Sequence, residues 1–134
     1  LTTLFLIITK AQVSGGLLYA GYLSVLGFAA FGKQVRSITY IYVGALVCSL
    51  LGLFDLTSAT IGMCVMLGTA IAPIGGHYGM VVGMISILVH LTIVSNLSQL
   101  HGNCVLYNNG FAAGFVAVIL VPIIDGIRGG FNRD

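Results

Sequence analysis

Few residues of this 134-residue chain are equipped for chemistry. Its histidines are His77, His90 and His101. No two stand three or four positions apart, so a helical zinc pair is excluded. On a continuous helix His90 and His101 would lie about 16 Å apart, too far to share one metal. There is no Glu, and Asp55, Asp125 and Asp134 all flank apolar segments. A two-carboxylate acid–base site would therefore need residues far apart in the chain. Nucleophile-elbow, dinucleotide and P-loop signatures are absent. Cys48, Cys64 and Cys104 form no Cys-x-x-Cys pair, and an odd count gives no disulfide framework. Cys48 and Cys64 fall in apolar runs, where a thiol behaves as a small apolar side chain.

What remains is hydrogen-bonding chemistry. Thr69, Ser86 and His90 punctuate long apolar runs, and His90 is the one titratable group besides cysteine and tyrosine set well inside such a run. Intramembrane residues of that kind are costly in lipid and face a bundle interior or a watery path. His77 follows Pro73 and a Gly75-Gly76 pair, and the stretch 99–110 gathers His101, Asn103, Tyr107, Asn108 and Asn109. These nine residues are the candidate substrate or pore residues. Amides and hydroxyls can bind a polar solute, and a histidine can also shuttle protons. The same residues can equally hydrogen-bond helix to helix.

The elements that position them follow from composition. Charged residues make up 6% of the chain and apolar residues 58%, whereas a soluble domain carries roughly a quarter charged. Apolar runs at 11–32, 37–54, 56–72, 78–97 and 110–124 reach or approach the roughly 20 residues that a membrane-spanning helix needs. Runs such as 85–91 and 116–124 do not alternate apolar with polar, which excludes a barrel. The expected fold is an all-α, polytopic transmembrane bundle of about five spans in a single domain, 1–134. The apolar stretch 1–8 is too short to span and suits the tail of an earlier helix, so the chain reads as the C-terminal half of a longer two-part protein.

Lys33 and Arg36 share the first tight loop, and Arg128 and Arg133 follow the last run. Placing these four in the cytoplasm satisfies the positive-inside rule with alternating spans, only Lys10 falling outside. The C-terminus is then cytoplasmic. Two places read as loops or as broken, re-entrant helices: 73–77, where proline removes an N–H and paired glycines free the backbone, and 101–110. The run 110–124 covers about 22 Å, short of a crossing. Extending it would carry Asn108 and Asn109 into the membrane, where such groups survive only in protein or beside a cavity.

Small residues recur at helical spacing: Gly79, Gly83, Ser86 and His90 on one face, Ser58, Gly62 and Thr69 on another, and Gly16, Ala20 and Gly27 on a third. Gly110, Ala113, Gly114 and Ala117 form a further patch with GxxxG spacing. Such stripes let helices approach closely in lipid.

The stretch Gly68-Thr69-Ala70-Ile71-Ala72-Pro73-Ile74-Gly75-Gly76, then His101-Gly102, Leu106-Tyr107-Asn108-Asn109-Gly110-Phe111, Ala113-Gly114-Phe115 and Val121-Pro122-Ile123-Ile124, resembles the C-terminal half of an uncharacterised bacterial multipass membrane family, a domain of unknown function. The resemblance covers the chain from Leu67 onward and departs from the family pattern at Asn103 and Cys104. It implies a bacterial inner-membrane location and a related N-terminal half, and no known activity.

The function expected from these features is a transporter or channel half for a small polar solute, not an enzyme, with no cofactor and no metal. The alternatives are a non-catalytic assembly subunit, or a membrane enzyme acting on a lipid-borne substrate through His101. The expected partners are the bilayer, another half or subunit of the same assembly, and the solute. With no basic stripe, nucleic acid is not among them.

Overall fold

The computed structural model describes residues 1–97 and 105–131. Among the described residues the chain is all-α, with no strand: α1 (Thr2–Thr9), α2 (Gly15–Gly27), a 3₁₀ turn (Phe28–Phe31), α3 (Val35–Leu50), α4 (Ala59–Gly68), a second 3₁₀ turn (Thr69–Ile71), α5 (Ala72–Tyr78), α6 (Met80–Leu97) and α7 (Val105–Phe131). Three helical stretches are long and apolar enough to cross a membrane: Ala59–Tyr78, Met80–Leu97 and Tyr107–Gly129. Gly15–Phe31 and Val35–Leu50 are apolar but shorter. Five apolar segments thus form, as the sequence implies, and the protein is a helical membrane bundle.

The short third helix ends for a local reason. Gly52 adopts a left-handed φ of 72°. Its N–H bonds to Ser49 O and that of Leu53 to Cys48 O, the Schellman pattern that closes a helix. The helix therefore stops at Leu50 rather than running to 54. Its start is tied by Ser37, whose hydroxyl donates to Gln34 O and accepts from Gln34 N–H.

Residues 73–77 are neither a turn nor an unwound segment. They belong to α5, with Pro73 in its first turn, where a missing N–H costs little. The break lies one turn earlier. Without an N–H on Pro73, the Thr69 carbonyl is taken by Ala72 N–H in 3₁₀ fashion. The chain reverses at Gly79, whose φ of 102° suits only glycine.

Contacts on either side of Gly79 pair symmetrically. A Cβ on Gly75 would sit 2.8 Å from Gly83 Cα, and one on Gly68 would sit 2.8 Å from Ile87 and 2.9 Å from His90. α4–α5 and α6 are therefore an antiparallel hairpin seated on glycine. A Cβ on Gly44 would meet Met84 Cα at 2.8 Å, and Tyr40 packs on Gly83, so α3 lies parallel to α6. Gly21 seats against Met66, placing α2 alongside α4.

The last segment also differs from expectation. Residues 105–110 are helical, and α7 runs 27 residues, so its length suffices for a crossing. Pro122 lies within it. Most of its outward side is exposed and apolar, with Phe111, Phe115, Val118, Ile119, Ile123 and Ile127 uncovered. Arg36 Nε bonds Tyr40 Oη at the start of α3, and Arg128 bonds Tyr78 O. Both arginines therefore occupy the Gly79 end of the bundle, and successive spans alternate in direction.

Candidate functional site

Two buried polar clusters lie around the break in the α4–α5 span. The first is built on Lys33. After the 3₁₀ turn Phe28–Phe31, Gly32 adopts φ 87° and turns the chain so that Lys33 enters the protein, where it is 6% exposed. Its ammonium donates to Thr69 Oγ1 at 2.7 Å and to the carbonyl oxygens of Ser24 at 3.4 Å and Val25 at 3.5 Å. It also stands 5.3 Å from the Phe28 ring centroid. Thr69 in turn donates to Met66 O at 2.6 Å. Ser24 and Val25 sit in the last turn of α2, where a helix carries about half a negative charge and welcomes a cation. Neither described carboxylate answers this lysine. Asp55 is held by Thr57 ahead of α4, and Asp125 by Tyr78 Oη at 2.7 Å at the Gly79 end. Asp134 lies outside the described residues.

The second cluster is His90, Asn109 and Cys64. His90 is completely buried, and its Nε2 lies 3.0 Å from Asn109 Oδ1. Asn109 Nδ2 donates to Cys64 Sγ at 3.4 Å, which leaves Oδ1 to accept the His90 N–H. Gly68 makes the close approach possible, since any side chain there would strike the imidazole. Among the described residues, His90 Nδ1 and Asn108 Oδ1 are buried with no partner. Unsatisfied groups of this kind are exceptions in native interiors and mark strain or a place for another molecule.

Between the clusters opens a half-open cleft of about 810 Å³. α2 and its 3₁₀ turn form one wall and α7 the other, with the residues flanking Thr69 as floor. Its lining is mostly apolar. Asn109 reaches it from the second cluster, and Ser24 and Phe28 from the first. Gly110 and Gly114 face it, and a Cβ at either would meet no described atom within 4 Å.

Of the sequence candidates, the structure gathers Thr69, His90, Asn108 and Asn109 around the break. Ser86 is buried one turn from His90, but its hydroxyl bonds its own helix at Val82 O. His77 is exposed, edge-on to Tyr78 and away from the cleft. Tyr107 is 63% exposed on the outer side. His101 and Asn103 lie outside the described residues. Among the described residues no group of three His, Cys, Asp or Glu could hold a metal.

Sequence reasoning missed Lys33, which reads as a loop charge because it stands three residues from Arg36 and directly after an apolar run. The available signal was Gly32, whose freedom to take a positive φ allows the chain to turn back on itself.

A family model described as a protein of unknown function, DUF1576, matches residues 1–126. The chain belongs to the DUF1576 family. No curated protein and no solved structure matches it. The DUF1576 match reaches well ahead of Leu67, where the sequence resemblance begins. It takes in α1 to α3, the Lys33 turn and both polar clusters.

Proposed function

We propose that this DUF1576 protein is a transporter- or channel-like unit of the bacterial inner membrane that binds a small polar solute in the cleft between α2 and α7. It acts with a second half or subunit and carries out no reaction of its own. The observation that carries the reading is the coincidence of three features at one depth: a helix break, a cleft open at that break, and buried polar groups on both sides of it. Discontinuous helices at mid-span supply solute sites in many transporters, because freed backbone and polar side chains can meet a ligand there. A cytoplasmic position for the Gly79 end and the end of α7 is supported by Arg36 and Arg128, which lie there, through the positive-inside rule. The exposed apolar faces of α2 and α7 meet lipid or the second half.

The test is flux into proteoliposomes containing the full-length protein, against a panel of neutral and ionic solutes. Flux that falls when Ala113→Cys is blocked by a thiol reagent supports the cleft as the path. Flux unchanged by that block removes the cleft from it.

A second reading is an assembly subunit that only packs. It is favoured by the sealing of Thr69, Ser86 and His90, each fully buried within this chain. Under it, Ala113→Cys is protected from aqueous reagents in the membrane.

A further inference from the structure

Lys33 poses a problem of charge. Its ammonium is buried in a bundle whose described carboxylates stand elsewhere, and the α2 carbonyls offset only about half an elementary charge. A buried cation is costly even with such neutral partners, and its attraction for an anion is screened little where water is scarce. Two of its contacts, to Ser24 O and Val25 O, are long at 3.4 and 3.5 Å, so the ammonium is not tightly enclosed by acceptors. Ser24 and Phe28, which touch Lys33, are also cleft-wall residues, so the charge lies one residue layer behind the wall. The rest of the cleft offers Leu23, Phe31, Leu67 and Ile74 to an apolar body.

We infer that the cleft takes an organic anion with an apolar body, its negative end drawn to Lys33 and its apolar part lying between α2 and α7. This inference deepens the proposed function by naming the class of solute, and it rests on the cleft being the binding site. A carboxylate with a short alkyl chain is the simplest molecule of that chemistry. The anion reaches the cleft either from water or as part of an anionic lipid.

The chain has no tryptophan, so Phe31→Trp in the cleft wall gives a single reporter. The protein carrying it is placed in phosphatidylcholine nanodiscs at neutral pH and titrated with bromine-tagged octanoate, octanol and octylamine, which quench an indole on contact. Octanoate should quench at a concentration about tenfold below that of octanol, and octylamine least well. Adding Lys33→Gln should bring octanoate and octanol together, whereas Lys33→Arg keeps them apart. Gly114→Leu, which fills the cleft from α7, should weaken both. Equal quenching by octanoate and octanol in the parent protein overturns the inference. So does a preference that survives Lys33→Gln, or quenching untouched by Gly114→Leu. The parent comparison stands even where Lys33→Gln fails to fold.

Replacing the lipid by phosphatidylglycerol separates the two sources. Competition by that lipid identifies a lipid anion and unchanged quenching a water-borne one, and both agree with the inference. Transport is judged separately: absent flux with the octanoate preference intact defeats the transporter reading and leaves the anion site standing.

Discussion

At the scale of single residues, the buried groups divide into those that are satisfied and those that are not. His90 and Asn109 bond one another at 3.0 Å, while His90 Nδ1 and Asn108 Oδ1 have no partner among the described residues. Asn109→Ala removes the imidazole's side-chain partner, and should lower stability by about 1–3 kcal/mol in detergent unfolding. A double-mutant cycle with His90→Ala should return a smaller coupling, about 0.6 kcal/mol and at most about 1.7, as interhelical bonds in membranes do. Asp55 gives a prediction with a sign. The Thr57 hydroxyl and amide donate to its carboxylate and hold it below the usual range. Its contribution is therefore complete above the unfolded carboxylate value and is lost as pH falls through the lower native one. In thermal unfolding across acidic pH, Asp55→Asn should flatten that loss, and an unchanged profile would show the turn contributes nothing. His90 was legible in the sequence because a titratable group in an apolar run is anomalous by itself. Lys33 was not, because its burial depends on the direction the chain takes after Gly32, and a lone sequence does not state a dihedral angle.

At the scale of elements, glycine decides which helices touch. Gly75 and Gly83 meet backbone to backbone, so Gly75→Ala drives a Cβ against an atom that no rotamer can move. It should destabilise the hairpin by about 1–3 kcal/mol. Gly114→Ala meets nothing within 4 Å and should stabilise α7 by about 0.5–1 kcal/mol. Both are read by thermal unfolding of the reconstituted chain, and equal effects would show that the glycine contacts do not hold the hairpin. The stripe of Gly79, Gly83, Ser86 and His90 was visible from spacing, and part of it is the face that packs on α4 and α5. Of the Gly16, Ala20 and Gly27 stripe, Ala20 packs against the cluster of Met63, Met66 and Leu67, whereas a Cβ at Gly16 or Gly27 would meet no described atom within 4 Å; Gly21, off the stripe, seats against Met66. Spacing reveals that a face exists but not which partner meets it. Proline and paired glycines at 73–77 suggested a break there. The actual break is displaced toward the N-terminus, because proline disturbs the carbonyl four residues before it rather than its own turn.

At the scale of the whole molecule, the membrane class follows from a scarcity of charge that no folding pattern could hide in water. The five apolar segments were legible for the same reason. Their ends were not, being set by Gly32, Gly52 and Gly79 in left-handed or extended forms rather than by polarity. Cysteine scanning in intact membranes checks the arrangement: Ala113→Cys should react with aqueous reagents through the cleft, while Ser86→Cys, sealed behind α5, should stay protected. Reaction at both positions would mean a wider water path than the fold contains. The glycine seats have a mechanical corollary. With α3, α5 and α6 in main-chain contact at Gly44, Gly75 and Gly83, those three helices have no slack and behave as a stator. Any cycle of opening and closing must then be carried by the looser flanking rods, α2 and α7, sliding across that fixed block.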